Sequence, residues 1–102
     1  MLFVRASGLH RLQQDGQVQL VDVRSPAEFA RGHVPGAVNI PLERLSRAAL
    51  RDFDLTRPIH LVCKSGARSL IALQKLHMDG LPHVVNVAGG TDGWMAEGLP
   101  VE

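Results

Sequence analysis

Three short apolar segments constrain the fold of this chain more than any other feature of the sequence. They occupy residues 19–23, 59–62 and 84–87, and stretches with helical periodicity separate them. Short apolar runs bounded by turn residues are typical of strands that are buried on both faces. Strands joined through helices pair in parallel by right-handed crossovers. The sequence therefore predicts an α/β fold in three layers, with a central, mostly parallel sheet covered by helices on both faces.

The clearest helix start follows the first of these segments. Ser25 suits the N-cap position, Pro26 the first helical position, and Glu28 the third, where its carboxylate can reach back to the Ser25 N–H as a capping box. Gly32 is placed to end this helix.

The remaining elements follow from periodicity and turn residues. They are a short helix capped by Ser7 and ended by Gly16, a strand over residues 37–40, a helix over residues 42–54, a helix over residues 70–78 closed by Gly80, and a last helix that carries Trp94 and stops near Gly98. A chain of 102 residues can bury one core but not two, so we expect residues 1–102 to form a single domain.

Composition excludes several classes of function. With 11 basic and 10 acidic side chains and an aromatic content of 4%, the chain offers neither a general positive field nor a stacking platform for nucleic acid. No apolar run reaches the length of a membrane span, and residues 1–12 lack the apolar core of a secretory signal, so we expect a cytoplasmic protein. One cysteine excludes an internal disulfide, and no histidine pair has metal-ligand spacing with a partner. We therefore expect no metal and no cofactor.

The single cysteine, Cys63, directly follows the second apolar segment and precedes a predicted helix. It opens a run that we predict to form the active-site loop: Cys63, Lys64, Ser65, Gly66, Ala67, Arg68 and Ser69. Free N–H groups and the dipole at a helix start stabilise an anion, and the amides of residues 65–69 can form a nest around the sulfur. Two cations add to this effect, so we predict a lowered thiol pKa and a reactive thiolate.

An alternative for Cys63 is a small buried hydrophobe, a common role for a free cysteine. A side chain sealed in an apolar interior would contradict the thiolate hypothesis. The hydroxyl groups of Ser65 and Ser69 can donate hydrogen bonds in the loop, although Ser69 could merely cap the helix.

Asp22 and Arg24 fall at the carboxyl end of the first apolar segment, where ligands collect in parallel sheets. Their spacing aims both side chains at the same side, where they could support the pocket around the thiol. The alternative roles are structural, and we favour them. Asp22 would accept backbone N–H bonds, and Arg24 would pair with Glu28 on the next helix.

At this point the sequence resembles the rhodanese family. The matching pieces are Leu20 to Arg24 followed by Glu28 and Phe29, then Gly32 to Pro41, the loop from Cys63 to Arg68, and Gly89-Gly90 with Trp94. The resemblance implies a rhodanese-like fold and a single-domain sulfurtransferase in which Cys63 carries sulfur as a persulfide. It also implies that His33 is a structural histidine.

Loop length distinguishes sulfur transfer from phosphatase chemistry. Phosphatases related to this fold place five residues between cysteine and arginine, whereas four separate Cys63 from Arg68. The smaller ring suits an added sulfur atom better than a phosphoryl group. We therefore expect transfer of sulfane sulfur from thiosulfate or a related anionic donor to cyanide or a thiol, with Lys64 and Arg68 binding the donor. The alternatives are a persulfide relay with a partner protein, a regulatory binding module and, with less support, a small phosphatase.

Overall fold

The computed structural model describes residues 3–102 and contains a five-stranded, fully parallel sheet. Its strands are β1 (Phe3–Val4), β2 (Gln19–Asp22), β3 (Val38–Asn39), β4 (Ile59–Val62) and β5 (Val84–Val87), in the spatial order β1-β5-β4-β2-β3. The α-helices are α1 (Ala6–Asp15), α2 (Pro26–Ala30), α3 (Ala67–Met78) and α4 (Gly90–Ala96), and two short 3₁₀ helices span Leu42–Arg44 and Ala48–Leu50. Within the described residues, no helix combines the length and apolar character that crossing a membrane requires.

Two hydrophobic clusters on opposite faces of the sheet make the three layers. On one face Leu61 packs with Leu73 and Leu76 of α3. On the other face Val62, the next residue of β4, packs with Leu9 of α1 and Trp94 of α4. Adjacent residues of a strand point to opposite faces, so β4 contributes to both cores. The predicted α/β architecture with helices on both faces is confirmed.

The capping box that we predicted at the start of α2 is present. The Glu28 N–H donates to Ser25 Oγ at 3.2 Å, and the Ser25 N–H donates to Glu28 Oε1 at 3.1 Å. The predicted Ser7 cap is wrong. Helix α1 begins at Ala6 with Arg5 at the N-cap, which makes no side-chain capping bond.

The predicted helix over residues 42–54 is also wrong. The backbone turns extended at Leu45, with φ −70° and ψ 129°, which separates the two 3₁₀ helices. Its apolar residues still face inward, because Leu45 is buried in the α3-side core and Leu42 and Phe53 pack against that core. Packing of these side chains onto the sheet outweighs the intrinsic helix preference of the segment.

Both edge strands are shorter than the central ones, and only one of them was predicted from the sequence. Strand β1 was not predicted, and the strand expected over residues 37–40 is reduced to Val38–Asn39. Each pairs with one neighbour only, so neither needs the continuous apolar run that marks a central strand.

His60 is buried in β4, and its Nδ1 has no hydrogen-bond partner among the described residues. Burial lowers the pKa of His60, and a hydrogen bond with the Gln19 backbone opposes this only in part. An unfolded histidine has a pKa of about 6.5, so the unfolded state takes up a proton first as the pH falls. The stability contributed by neutral His60 is therefore complete above about pH 6.5 and is lost below it.

We predict that the free energy of unfolding falls by about 0.5–1 kcal/mol between about pH 7.5 and 5.5 because of His60. Urea denaturation at several pH values measures this slope. His60→Leu should flatten it, whereas His83→Gln, at an exposed histidine, should leave it unchanged. Equal slopes for the wild type and His60→Leu would show that His60 is not the group responsible.

Candidate active site

Cys63 follows β4 immediately, at the carboxyl end of the sheet. Cys63 is only 1% exposed and belongs to the α3-side core, which is deeper than we expected. Its sulfur nevertheless has polar partners. Sγ accepts the Gly66 N–H at 3.0 Å and lies 3.3 Å from the hydroxyl oxygen of Ser69. The buried-hydrophobe alternative thus describes the stem of this side chain but not its reactive atom.

These hydrogen bonds decide the charge preference of the thiol. Burial raises the pKa of Cys63, but the hydroxyl and amide of Ser69 and the amides of Gly66 and Ser65 lower it, and the net effect is a pKa below the ordinary value. Hydrogen bonds to an ionised sulfur favour the thiolate, which is the nucleophilic form. This direction agrees with the lowered pKa that we predicted from the loop.

The loop backbone is held by the start of α4. The Thr91 N–H donates to the Cys63 carbonyl at 2.8 Å, and the Thr91 hydroxyl donates to the same oxygen at 3.1 Å. The Asp92 N–H donates to the Lys64 carbonyl at 2.9 Å. With both carbonyls turned towards α4, the loop amides are free to face the sulfur. The sequence marked Gly89-Gly90 as a motif, but it did not reveal these contacts.

The other loop residues act through the backbone or at the surface. Gly66 forms the N-cap of α3 at φ 112°, a conformation that favours glycine. Helix α3 starts at Ala67 rather than at Leu70, so Ser69 lies inside the first turn and is not its cap. The side chains of Ser65 and Ala67 are exposed.

Ser69 is fully buried, and its hydroxyl oxygen lies close to three acceptors. They are Cys63 Sγ at 3.3 Å, the Gly66 carbonyl at 3.2 Å and Asn86 Oδ1 at 2.5 Å. Asn86 lies in β5 and was missed at the sequence level, because nothing in a strand sequence indicates which loop its polar side chain will reach.

Both predicted donor-binding cations have carboxylate partners. Arg68 forms a two-point ion pair with Glu28, with both N–O distances at 2.8 Å. Hydrogen bonding to Arg68 lowers the pKa of Glu28 to about 2, and the same pair raises the pKa of Arg68. Lys64 Nζ lies 2.9 Å from Asp92 Oδ2 at the exposed rim.

The structural interpretation of Asp22 and Arg24 agrees with the geometry. Arg24 bonds both oxygens of Asp22 through its guanidinium, with the Nη2–Oδ2 distance at 2.8 Å, and its N–H donates to Asp22 Oδ1 at 3.0 Å. Arg24 also donates to the Gly32 carbonyl at 2.8 Å. The expected ion pair between Arg24 and Glu28 is wrong, because each has a different partner. The buried pair fixes the turn after α2 to the end of β2.

A cleft of about 180 Å³ opens beside the loop. Its lining includes Lys64 of the loop, Asp92 of α4, and Glu28 and Arg31 from α2 and its end. Arg24 also lines this cleft, as the pocket-support alternative expected, in addition to its pairing with Asp22. Arg31, at the end of α2, is exposed and forms no ion pair with any described residue. It is a candidate for binding an anion, although it stood out in no sequence motif. Residues 3–102 contain no group of three or more side chains suited to hold a metal ion.

Comparison with known proteins agrees with this geometry. The model of the rhodanese-like domain family matches residues 5–97. A sulfurtransferase from Allochromatium vinosum is 37% identical over 91 residues, which make up 89% of this chain and 84% of that protein. A solved rhodanese-like domain protein from Staphylococcus aureus has a TM-score of 0.85 at 32% identity, covering 100% of this chain and 99% of that one.

The chain therefore belongs to the rhodanese-like domain family, as its motifs indicated. Its relatives also include the "Putative sulfur carrier protein YrkF" of Bacillus subtilis, which is 31% identical over 82% of this chain. The match covers 45% of that protein. The relatives thus include one protein named as a sulfurtransferase and one named as a putative sulfur carrier.

Gly90 provides a test of how the loop is held. A Cβ atom there would lie 2.5 Å from the Cys63 carbonyl oxygen and 2.6 Å from the carbonyl carbon of Lys64, at a backbone φ of 59°. We predict that Gly90→Ala lowers the free energy of unfolding by at least about 2 kcal/mol and impairs thiol reactivity.

Gly93→Ala is the matched control, because the nearest atom to its Cβ is the Ala88 carbonyl oxygen at 4.0 Å. Inside a helix this change should be neutral or stabilising by up to about 1 kcal/mol. Urea denaturation and the rate of Cys63 alkylation measure both variants. If Gly90→Ala behaved like Gly93→Ala, the close packing of α4 on the loop would be unimportant.

Proposed function

We propose that this protein is a sulfurtransferase that carries sulfane sulfur as a persulfide on Cys63. The observation that carries the proposal is the polar surrounding of the sulfur, where the Gly66 N–H lies at 3.0 Å and the Ser69 hydroxyl at 3.3 Å. Donors so placed stabilise a negative charge on sulfur within an otherwise apolar site. Membership of the rhodanese-like family and a relative named as a sulfurtransferase support the same chemistry.

The cycle is a double displacement. The Cys63 thiolate attacks the outer sulfur of thiosulfate, the S–S bond of the donor breaks, and sulfite leaves with the bonding electron pair. A persulfide anion remains on the protein. A second nucleophile then takes the terminal sulfur and restores the thiolate. Cyanide would leave as thiocyanate, and a thiolate acceptor would leave as its own persulfide. No metal or cofactor enters either step.

Donor binding depends on the cations of the loop and of the cleft beside it. We keep Lys64, which lines the cleft, and Arg68 of the loop in this role, although Asp92 and Glu28 partly neutralise them. Arg31 is added because it lines the same cleft without a carboxylate partner among the described residues. A sulfonate group would find its least neutralised counter-charge at Arg31.

A persulfide relay is the second candidate function. Leu70 and Ile71, in the first turns of α3 beside the loop, are 46% and 55% exposed. Apolar side chains next to the reactive loop suit the docking of a protein that delivers or accepts sulfur. The relative named as a sulfur carrier supports this possibility. Thiosulfate turnover would then be incidental.

The direct test of the proposed function is intact mass measurement after incubation with thiosulfate. The wild type should gain one sulfur atom that cyanide removes, and Cys63→Ser should gain none. Persulfide formation from a cysteine desulfurase but not from thiosulfate would favour the relay. Hydrolysis of p-nitrophenyl phosphate faster than sulfur transfer would instead support a phosphatase and overturn the proposal.

Steady-state kinetics test the donor-binding residues. We predict that Arg31→Ala raises the thiosulfate KM about threefold to tenfold with little change in kcat, because it removes ground-state binding. Arg57→Ala is the control. Its guanidinium bonds the Gln17 carbonyl at the opposite end of the sheet, so its KM should match that of the wild type. Equal KM values for the two variants would exclude Arg31 from donor binding.

Glu28→Gln tests whether Glu28 neutralises Arg68. Glutamine preserves the capping box but removes the charge that faces the guanidinium. We predict that the thiosulfate KM falls by a factor of about 1.5 to 5, the range expected for freeing one partly exposed cation. An increased KM would mean that Glu28 is needed to position Arg68, and that its negative charge does not oppose donor binding.

A further inference from the structure

The side chain of Asn86 is the polar group nearest to the Ser69 hydroxyl, and it has no part in the chemistry proposed for Cys63. Its Oδ1 lies 2.5 Å from the Ser69 hydroxyl oxygen, whereas Cys63 Sγ lies 3.3 Å from the same oxygen. A serine hydroxyl has only one hydrogen to donate. While that hydrogen is donated to Asn86 Oδ1, the nearest of its possible acceptors, Ser69 can only accept from the Cys63 S–H.

This arrangement fits a neutral thiol. The chain of donors runs from the Cys63 S–H to the Ser69 oxygen, and from the Ser69 O–H to Asn86 Oδ1. When the thiol loses its proton to water, Sγ can only accept hydrogen bonds. The Ser69 hydrogen must then turn towards the sulfur if it is to stabilise the thiolate, and Asn86 Oδ1 competes for that hydrogen.

A turn of the Asn86 amide removes this nearest competitor and leaves only the Gly66 carbonyl, at 3.2 Å from the hydroxyl oxygen. It would replace Oδ1 by Nδ2, which can donate to the Ser69 oxygen while Ser69 donates to the sulfur. Nδ2 makes no hydrogen bond to a described residue, so within the protein the turn breaks only the bond from Ser69 to Oδ1. Asn86 is half-buried in β5, where the parallel pairing of the strand fixes its backbone.

We propose that Asn86 is a positioning residue that sets the charge state of Cys63 through Ser69. With its carbonyl towards Ser69 it supports the thiol, and with its amide N–H towards Ser69 it supports the thiolate. If the proposed function holds, the N–H orientation is the one that suits the catalytic cycle, because the thiolate and the persulfide are both anions.

Other charged and titratable groups surround the sulfur, and the test must separate their effects from that of Asn86. Three pairs of these groups form ion pairs, which are Arg68 with Glu28, Asp22 with Arg24, and Lys64 with Asp92. The Glu28 pKa of about 2 keeps its pair with Arg68 charged at any pH at which a thiol titrates. Two further groups are Arg31, which lines the cleft without an ion-pair partner among the described residues, and His60 of β4, whose pKa is lowered by burial.

The test is a double-mutant cycle on the thiol pKa, read from the ultraviolet absorbance of the thiolate as the pH is raised. An ionised aspartate side chain can only accept hydrogen bonds. Asn86→Asp should therefore keep the Ser69 hydroxyl hydrogen turned away from the sulfur. We expect Asn86→Asp to raise the thiol pKa by about two units in the background that keeps Ser69. In a Ser69→Ala background, only the through-space effect of the new charge should remain, at about one unit or less.

Asn86→Leu provides a neutral second variant in case the new charge disturbs folding. It removes both amide orientations, and the larger loss is the hydrogen-bond chain that ends on the charged thiolate. The thiol pKa should therefore rise by about half a unit where Ser69 is kept, and by nothing in the Ser69→Ala background. Equal shifts in both backgrounds for both variants would overturn the proposal, because Asn86 would then act independently of Ser69. Absence of any shift would overturn it too.

Since the readout is ionisation without any sulfur donor, the outcome is independent of the test of the proposed function. A protein that fails to form a persulfide from thiosulfate could still show the Asn86 effect. A protein that forms the persulfide could equally lack it.

Discussion

The hydrogen bonds that meet at the Cys63 sulfur are the interaction on which the rest of the site depends. A buried thiol without polar partners would be neutral and inert, because burial alone raises its pKa. Here the Gly66 N–H and the Ser69 hydroxyl reverse that effect. Their placement in turn depends on the start of α4, where Thr91 and Asp92 hold the loop carbonyls away from the sulfur. The fold thus holds the active-site loop against the start of α4 in an arrangement that favours the thiolate of Cys63.

The full charges of Lys64 and Arg68 contribute less to this site than we expected from the sequence. Arg68 and Lys64 each face a carboxylate, so their full charges are reduced where a donor would bind. Local hydrogen bonds from the backbone and from a buried hydroxyl act at shorter range and are less screened by solvent. Ionisation of the nucleophile and binding of the donor therefore depend on different residues, and substitutions can separate the two.

The sequence predicted the parts of the structure that local chemistry determines. The three central strands, the capping box at Ser25 and the position of Cys63 after a strand all follow from short patterns. The helix expected over residues 42–54 failed because tertiary packing overrode periodicity. Asn86 and the Glu28 partner of Arg68 could not be predicted, since both contacts join residues far apart in the chain. Their pairing depends on strand order and register, which a single sequence does not specify.

The pH dependence of Cys63 alkylation by iodoacetamide shows whether hydrogen bonds keep the sulfur ionised, because the rate reports both ionisation and access to the sulfur. Cys63 is 1% exposed, so the native protein must open the loop at least briefly to react. We expect the native protein to react, and its rate to level off at a lower pH than that of the same protein unfolded in urea. A native protein that reacts only as fast as it unfolds globally, or whose thiol titrates above the unfolded thiol, would show that these hydrogen bonds do not favour the thiolate.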